Sequence, residues 1–433
     1  MNARREHPGF VIARYFLGSP RFSAALTQTI IGAEIGALLL QELIGWPGAL
    51  AITGALVLLA TGSLIAQRET IEWHGLLPIS LLIFVGWATT SVFWSQYNWA
   101  SLGSVLYLLG VTMLGIYVAL IRDTIQIARA FGDVLRGALV LSIVLEIFSG
   151  LLVDSPLHFL AIQGTLAQLG PIQGIFGTRN ELGIVTLVAI VTFGTELRTQ
   201  SVPRSRAVGS LVLAGVTLLL ARSPIAFGTF VIVVLAALAL YGLRRATPER
   251  KRFWQIGLLA TTVTVLIVAW AARTPIINAL SASAELNKRL QIWRSIRLLI
   301  PAHELEGWGW AGHWWTSLPP FASIRDGAGV VPNSAFNSYL DVWFQLGLIG
   351  LLAFVFLIGL AFIRSWLLAS RQRSFVYAWP ALVLVVLLVT GLAESSLLVE
   401  FGWLTFVVCS VKASRELSWR RAFAATRPSA HIE

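Results

Sequence analysis

Apolar runs of about 20 residues recur down this chain, and that recurrence restricts the fold more than any other feature. In lipid every backbone N–H and C=O must be paired within the chain, so each such run is expected to be an α-helix. Twelve segments are expected, near 22–44, 48–66, 76–94, 101–121, 134–153, 175–195, 207–221, 224–243, 255–271, 339–362, 376–394 and 396–412. Gly45-Trp46-Pro47-Gly48 should make a tight turn between the first two, and Arg222 and Ser223 alone separate the seventh from the eighth. The fold class is therefore an all-α polytopic membrane protein with about twelve transmembrane helices, a single integral membrane domain over 1–433. Composition agrees, with 56% hydrophobic residues, 12% charged and a mean hydropathy of +0.77. A soluble domain carries roughly 25% charged residues. The basic N-terminus runs into an apolar stretch too long for a signal-peptide core, so the first helix is expected to be uncleaved. One cysteine, Cys409, excludes an intramolecular disulfide and a cysteine metal cluster.

The net charge of +11 needs no nucleic-acid partner, because the arginines punctuate apolar segments. With a cytoplasmic N-terminus and alternating segments, 24 of the 32 basic residues fall on the cytoplasmic side. That bias predicts an even number of helices with both termini cytoplasmic. It also isolates Arg179, Arg222, Arg273, Lys288, Arg289, Arg294, Arg297 and Arg325 on the other side, where topology does not account for them. Residues 272–338 are too polar to cross a bilayer and are read as one large extracytoplasmic loop, and 413–433 as a cytoplasmic basic tail. Inside the loop, Leu286, Leu290, Trp293 and Ile296 form an apolar stripe at helical spacing. The Gly- and Trp-rich stretch 306–315 that follows suits a surface packed at the membrane interface.

Nucleotide-binding loops, the dinucleotide glycine fingerprint, the zinc-protease helix motif and the nucleophile elbow are all missing. No DxD carboxylate pair lies on the outer side, and Glu304-Leu-Glu306 reads as a solvated loop pair. No metal and no cofactor is expected. Arg222 is a candidate because it sits in a short turn on the side depleted of basic residues. Arg289 and Trp293 lie one turn apart on a helical face. Arginine keeps its charge and offers a planar fork to phosphate oxygens, so two outward arginines suit an anionic substrate at the outer leaflet. Arg179-Asn180 opens the sixth helix, a place for phosphate or a sugar hydroxyl, and the neighbouring glycines read equally as packing residues. Glu34, Glu42, Glu146, Glu181, Asp341, Glu394 and Glu400 lie within apolar segments; Asp341 and Glu394 are singled out because both fall near the outer face.

Four landmarks in this order resemble the bacterial O-antigen ligase family, which includes O-antigen and exopolysaccharide polymerases. They are Gly177-Thr-Arg-Asn180-Glu-Leu-Gly183, Leu220-Ala-Arg222-Ser223, Arg289-Leu-Gln-Ile-Trp293 with Gly307-Trp-Gly309, and Asn337 followed by Gly347-Leu-Ile-Gly350. The resemblance spans roughly 170–365. It implies that Arg222 and Arg289 grip a lipid diphosphate. The chain departs from the family pattern at three places. Phe336 stands where the motif histidine precedes the asparagine, Ser334 stands where some members have a second histidine, and Lys288 replaces the glycine before the loop arginine.

The expected function is metal-independent glycosyl transfer at the outer face of the bacterial plasma (inner) membrane. The donor is a glycan on undecaprenyl diphosphate and the acceptor a hydroxyl of a glycan or glycolipid. Expected catalytic residues are Arg222, Arg289, His313 and Asp341, the last two as alternative bases because Phe336 cannot accept a proton. Expected substrate-binding residues are Arg179, Asn180, Trp293 and Asn337. Two other readings stand beside this one: a transporter or flippase of lipid-linked sugars, and a family member that binds the carrier lipid without transfer.

Overall fold

In the computed structural model the described residues are 14–69, 78–168, 170–245 and 283–416, with isolated positions 256, 257, 264 and 267. The expected ninth segment (255–271), the first part of the loop (272–282) and most of the basic tail (417–433) lie outside them. Among the described residues the chain is helical and contains no strand beyond one isolated bridge, Leu157 to Ile162. In chain order the helices are α1 (Pro20–Ile35), α2 (Ala37–Ala66), α3 (Ile79–Thr90), α4 (Asn98–Ile121), α5 (Thr124–Ile147), α6 (Arg179–Thr199), α7 (Arg204–Ala221), α8 (Pro224–Arg245), α9 (Ser283–Leu299), α10 (Ser338–Arg371), α11 (Ala378–Thr390) and α12 (Glu400–Glu416). Seven of them, α2, α4 to α8 and α10, are long and apolar enough to cross a membrane, α5 together with the π-helical turn that extends it to Leu152; α3 and α11 are shorter apolar helices.

Several expected boundaries move for local reasons. The segment expected at 22–44 is two pieces, because the helix breaks at Gly36 and resumes at Ala37. The tight turn expected at 45–48 is a kink, in which Gly45 alone leaves helical geometry at φ 71° and the helix continues through Pro47. Helix α5 begins ten residues before the expected 134, because Asp123 and Gln126 form a capping box that starts it at Thr124. The last two segments are separated by a connection from 391 to 399, which includes one 3-10 turn at Ser396–Leu398, rather than by a single residue.

Helices α1 to α8 alternate in direction, as do α10 to α12, and α8 and α10 end together, where Arg244 reaches the Gln372 carbonyl, so connections gather at two ends. At one end Arg122 reaches the Pro20 carbonyl, Thr124 reaches Glu416, and Arg14 pairs with Glu69. At the other end lie the breaks at Gly36 and Gly45, the Arg222 turn, segment 283–337 and the 391–399 connection. Helices α11 and α12 are buried on nearly all sides and form the centre of the bundle, with Trp379, Trp403 and Phe406 packed among Phe84, Phe131 and Phe354. A helix apolar all round is stable only when enclosed in this way. A second cluster, Ile292, Ile296, Trp314, Phe321 and Phe344, fastens segment 283–337 onto the bundle end.

Candidate functional site

Four elements meet through one buried amide. Asn180, in the first turn of α6, donates from Nδ2 to Glu394 Oε1 at 2.8 Å and accepts at Oδ1 from the Ser223 hydroxyl at 2.7 Å. Glu394 lies in the α11–α12 connection and pairs with Arg289 of α9 at 2.6 Å. Arg289 also donates to the Ala393 carbonyl and lies over the Phe336 ring at 5.4 Å. It is 9% exposed. The approach of α6 to α8 depends on Gly183, where a Cβ would press on Ala226 and Ser223.

Arg222 ends α7 in left-handed geometry, φ 49°. Its side chain is exposed, and among the described residues its guanidinium makes no hydrogen bond or ion pair. Its carbonyl faces Arg179 Nη1 at 3.5 Å, while Arg179 pairs with Glu285 of α9. Sequence-singled residues 179, 180, 222 and 289 therefore share one end of the bundle. Arg294 and Arg297 are exposed.

Asp341, Trp293 and Asn337 make hydrogen bonds within the protein. Asp341 is fully buried; its Oδ1 accepts from Trp314 Nε1 and Gln345 Nε2, each at 2.7 Å, and its Oδ2 from the Ala335 amide at 3.1 Å. This carboxylate lines neither of the two cavities described below. Asp341, expected as an alternative base, has both oxygens engaged by donors of the protein itself. Trp293 donates its indole N–H to the Ala335 carbonyl at 2.8 Å. Asn337 caps α10 by accepting from Tyr339 and Leu340, and its Nδ2 donates to the Leu392 carbonyl at 3.0 Å.

The glycine landmarks form a joint. At Gly347, φ 67°, helix α10 opens, and chain 304–309 inserts its backbone into the gap. Leu348 N donates to Glu304 O at 2.8 Å, Gly309 N to Gln345 O at 2.8 Å and Trp308 N to Phe344 O at 3.2 Å. A Cβ on Gly347 would collide with the Leu305 carbonyl, and one on Gly307 with the Gln345 carbonyl. Trp87 and Trp94 close the joint by donating to the carbonyls of Leu346 and Glu306.

His313 follows this joint in the Gly- and Trp-rich chain. It lies in the wall of a cavity of about 420 Å³ between α2, α4, α12 and segment 310–317. A much smaller cavity lies nearby, between residues 95–101 and 308–321. His313 Nε2 faces Glu400 Oε1 at 3.3 Å, and Gln41 Nε2 donates to the same oxygen at 2.8 Å. Burial disfavours the charged imidazole, but the hydrogen bond to Glu400 and its negative charge outweigh burial and hold His313 above its usual pKa. Glu400 is itself in left-handed geometry, φ 46°. The sequence singles out Glu394 by its place near the outer face, offers Glu400 only as one of several carboxylates in apolar segments, and gives no signal for Gln41. A buried carboxylate reveals its importance only through its partners, which come from distant segments.

The described chain is thus a helical membrane protein with a basic and aromatic pocketed end. Residues 209–355 match the family model described as O-antigen ligase. The match takes in the Arg222 turn, Arg289, the glycine joint and the first half of α10. A search of curated proteins found no matching sequence.

Proposed function

We propose that this protein transfers a glycan from undecaprenyl diphosphate to a hydroxyl of a glycan or glycolipid, without a metal, at the outer face of the bacterial inner membrane. The proposal includes twelve spans, both termini in the cytoplasm, and 272–338 outside as the loop that completes the site. The observation that carries it is the convergence of Arg222, Arg179-Asn180 and Arg289 at one end of the bundle, inside the segment that matches the O-antigen ligase family. When the acceptor oxygen bonds to the anomeric carbon, the carrier diphosphate leaves with the electron pair. Arg222, whose guanidinium has no partner among the described residues, offers a whole fork to the growing phosphate charge. Arg289 has five N–H donors and uses part of them on Glu394 and Ala393. Such a fixed cationic contact typically contributes roughly 10²–10³ in rate. The N-terminus of α6 beside Arg179 adds a favourable dipole for the same anion.

The test is transfer from a lipid-linked glycan by protein reconstituted in lipid. Arg222→Ala and Arg289→Ala should each abolish transfer while the protein still inserts, and Arg→Lys should also be harmful because lysine is a point charge without a fork. Arg294→Ala and Arg297→Ala should retain most activity. Equal loss at all four positions would indicate general damage to the loop and sink the diphosphate assignment. A second reading is favoured by Phe336 under Arg289: a protein that binds the carrier lipid without transfer. Binding of the lipid-linked donor with no transfer by the wild type would select it.

A further inference from the structure

The 420 Å³ cavity beside His313 has no part in the diphosphate assignment, and its walls describe a different ligand. Trp46, Tyr107, Trp310, Trp314, Trp315 and Trp403 supply flat aromatic surfaces. Ser104, Thr316, Ser317 and the His313–Glu400 pair supply a few polar groups. Aromatic walls with sparse, converging polar groups suit a ring with alternating C–H faces and hydroxyl edges. An isoprenoid chain would use the aromatic walls and leave the half-buried His313–Glu400 pair in the same wall without a polar partner.

The backbone has been bent to build this pair. Breaks at Gly36 and Gly45 isolate the short helical piece that carries Gln41. Glu400 takes a left-handed φ of 46° at the start of α12, a strained state for a residue with a side chain. If His313 Nε2–H donates to Glu400, Nδ1 is the free nitrogen, and it makes no hydrogen bond among the described residues. We propose that this cavity is a saccharide subsite for the acceptor, with His313 as the base in its wall and Glu400 and Gln41 as the residues that position it. This rests on the transfer reading above. The acceptor O–H gives its proton to His313 Nδ1, its oxygen bonds to the anomeric carbon, and the carbon–oxygen bond to the diphosphate breaks toward the diphosphate. Glu400 faces the imidazolium that forms. Glu394, at the arginine cluster, is six residues from Glu400 in the chain, so the two sites lie within about 20 Å of contour.

Other ionisable groups surround the pair. Asp341 of α10 faces His313, while Glu34 of α1, Tyr107 of α4 and Glu181 of α6 face Glu400. Glu400→Gln keeps the shape and removes the charge, so His313 loses its proton more readily. The acidic limb of the rate–pH profile should then move to lower pH and the maximal rate should fall at least tenfold. Gln41→Ala should lower the rate less, and His313→Gln should abolish the limb.

A second readout does not need turnover. Carbethoxylation of His313 by diethylpyrocarbonate, read by mass spectrometry, should be slowed by methyl hexosides or methyl N-acetylhexosaminides and not by a short prenol. Protection by the prenol alone, or no protection by any saccharide, overturns the subsite. So does an unshifted limb in Glu400→Gln that still transfers. A wild type that never transfers but whose His313 is protected by saccharides would overturn the transfer reading and leave the subsite standing.

Discussion

Asn180 uses both halves of its amide inside the protein, and no alanine can replace either contact. Its loss would leave Ser223 without its acceptor and remove a donor from Glu394, both buried. Leaving buried polar groups unpaired costs about 1–3 kcal/mol. Asn180→Ala should therefore lower the thermal unfolding midpoint in detergent, and Ser223→Ala should lower it less because Asn180 keeps Glu394. An unchanged midpoint for Asn180→Ala would mean that the network is not held as described. The Arg289–Glu394 pair at its centre is a matched buried ion pair, where removal of one partner alone costs more than removal of both. Loss of activity in Arg289→Ala therefore has to be read beside a folding measurement.

At the scale of elements, the joint between chain 304–309 and the break in α10 holds segment 283–337 in place. Gly347 sits at φ 67° and ψ −171°, a backbone region open essentially to glycine, and a side chain there meets the Leu305 carbonyl as well as a backbone penalty of about 1–3 kcal/mol. Gly347→Ala should loosen the joint, seen as faster proteolysis within 304–309 and a lower unfolding midpoint. Gly359, in the same helix, has open space where a Cβ would go. Gly359→Ala should be neutral or stabilising by up to about 1 kcal/mol, since alanine is the better helix former. Similar effects at both positions would show that the break carries no special contact. The joint gives Gly307 and Gly347 a structural reason to be glycine: they let backbone meet backbone.

At the scale of the whole molecule, helix direction alternates and the basic residues divide between the two ends. The proposed topology makes the end bearing 283–337 the outer one. Single cysteines in a Cys409→Ser background test it, since Cys409 is buried. Arg325→Cys and Ser374→Cys lie at opposite ends on exposed positions. An impermeant thiol reagent added to intact cells should label the first and spare the second. Labelling of both, or of Ser374→Cys alone, would overturn the orientation.

Hydropathy and length sufficed to read an all-helical membrane chain, because lipid leaves an apolar run of 20 residues one way to pair its backbone. The excess of arginines over the positions that topology explains was equally local, and it led to Arg179, Arg222 and Arg289. What the linear pattern did not hold was pairing across distance. Gln41 lies 359 residues from Glu400, and Asn180 lies 214 from Glu394, so no periodicity or spacing joins them. For the same reason the donors that Asp341 meets, from Trp314, Gln345 and Ala335, are not legible in the sequence. A carboxylate's chemistry is set by the donors and charges packed against it, and only the tertiary structure decides which those are.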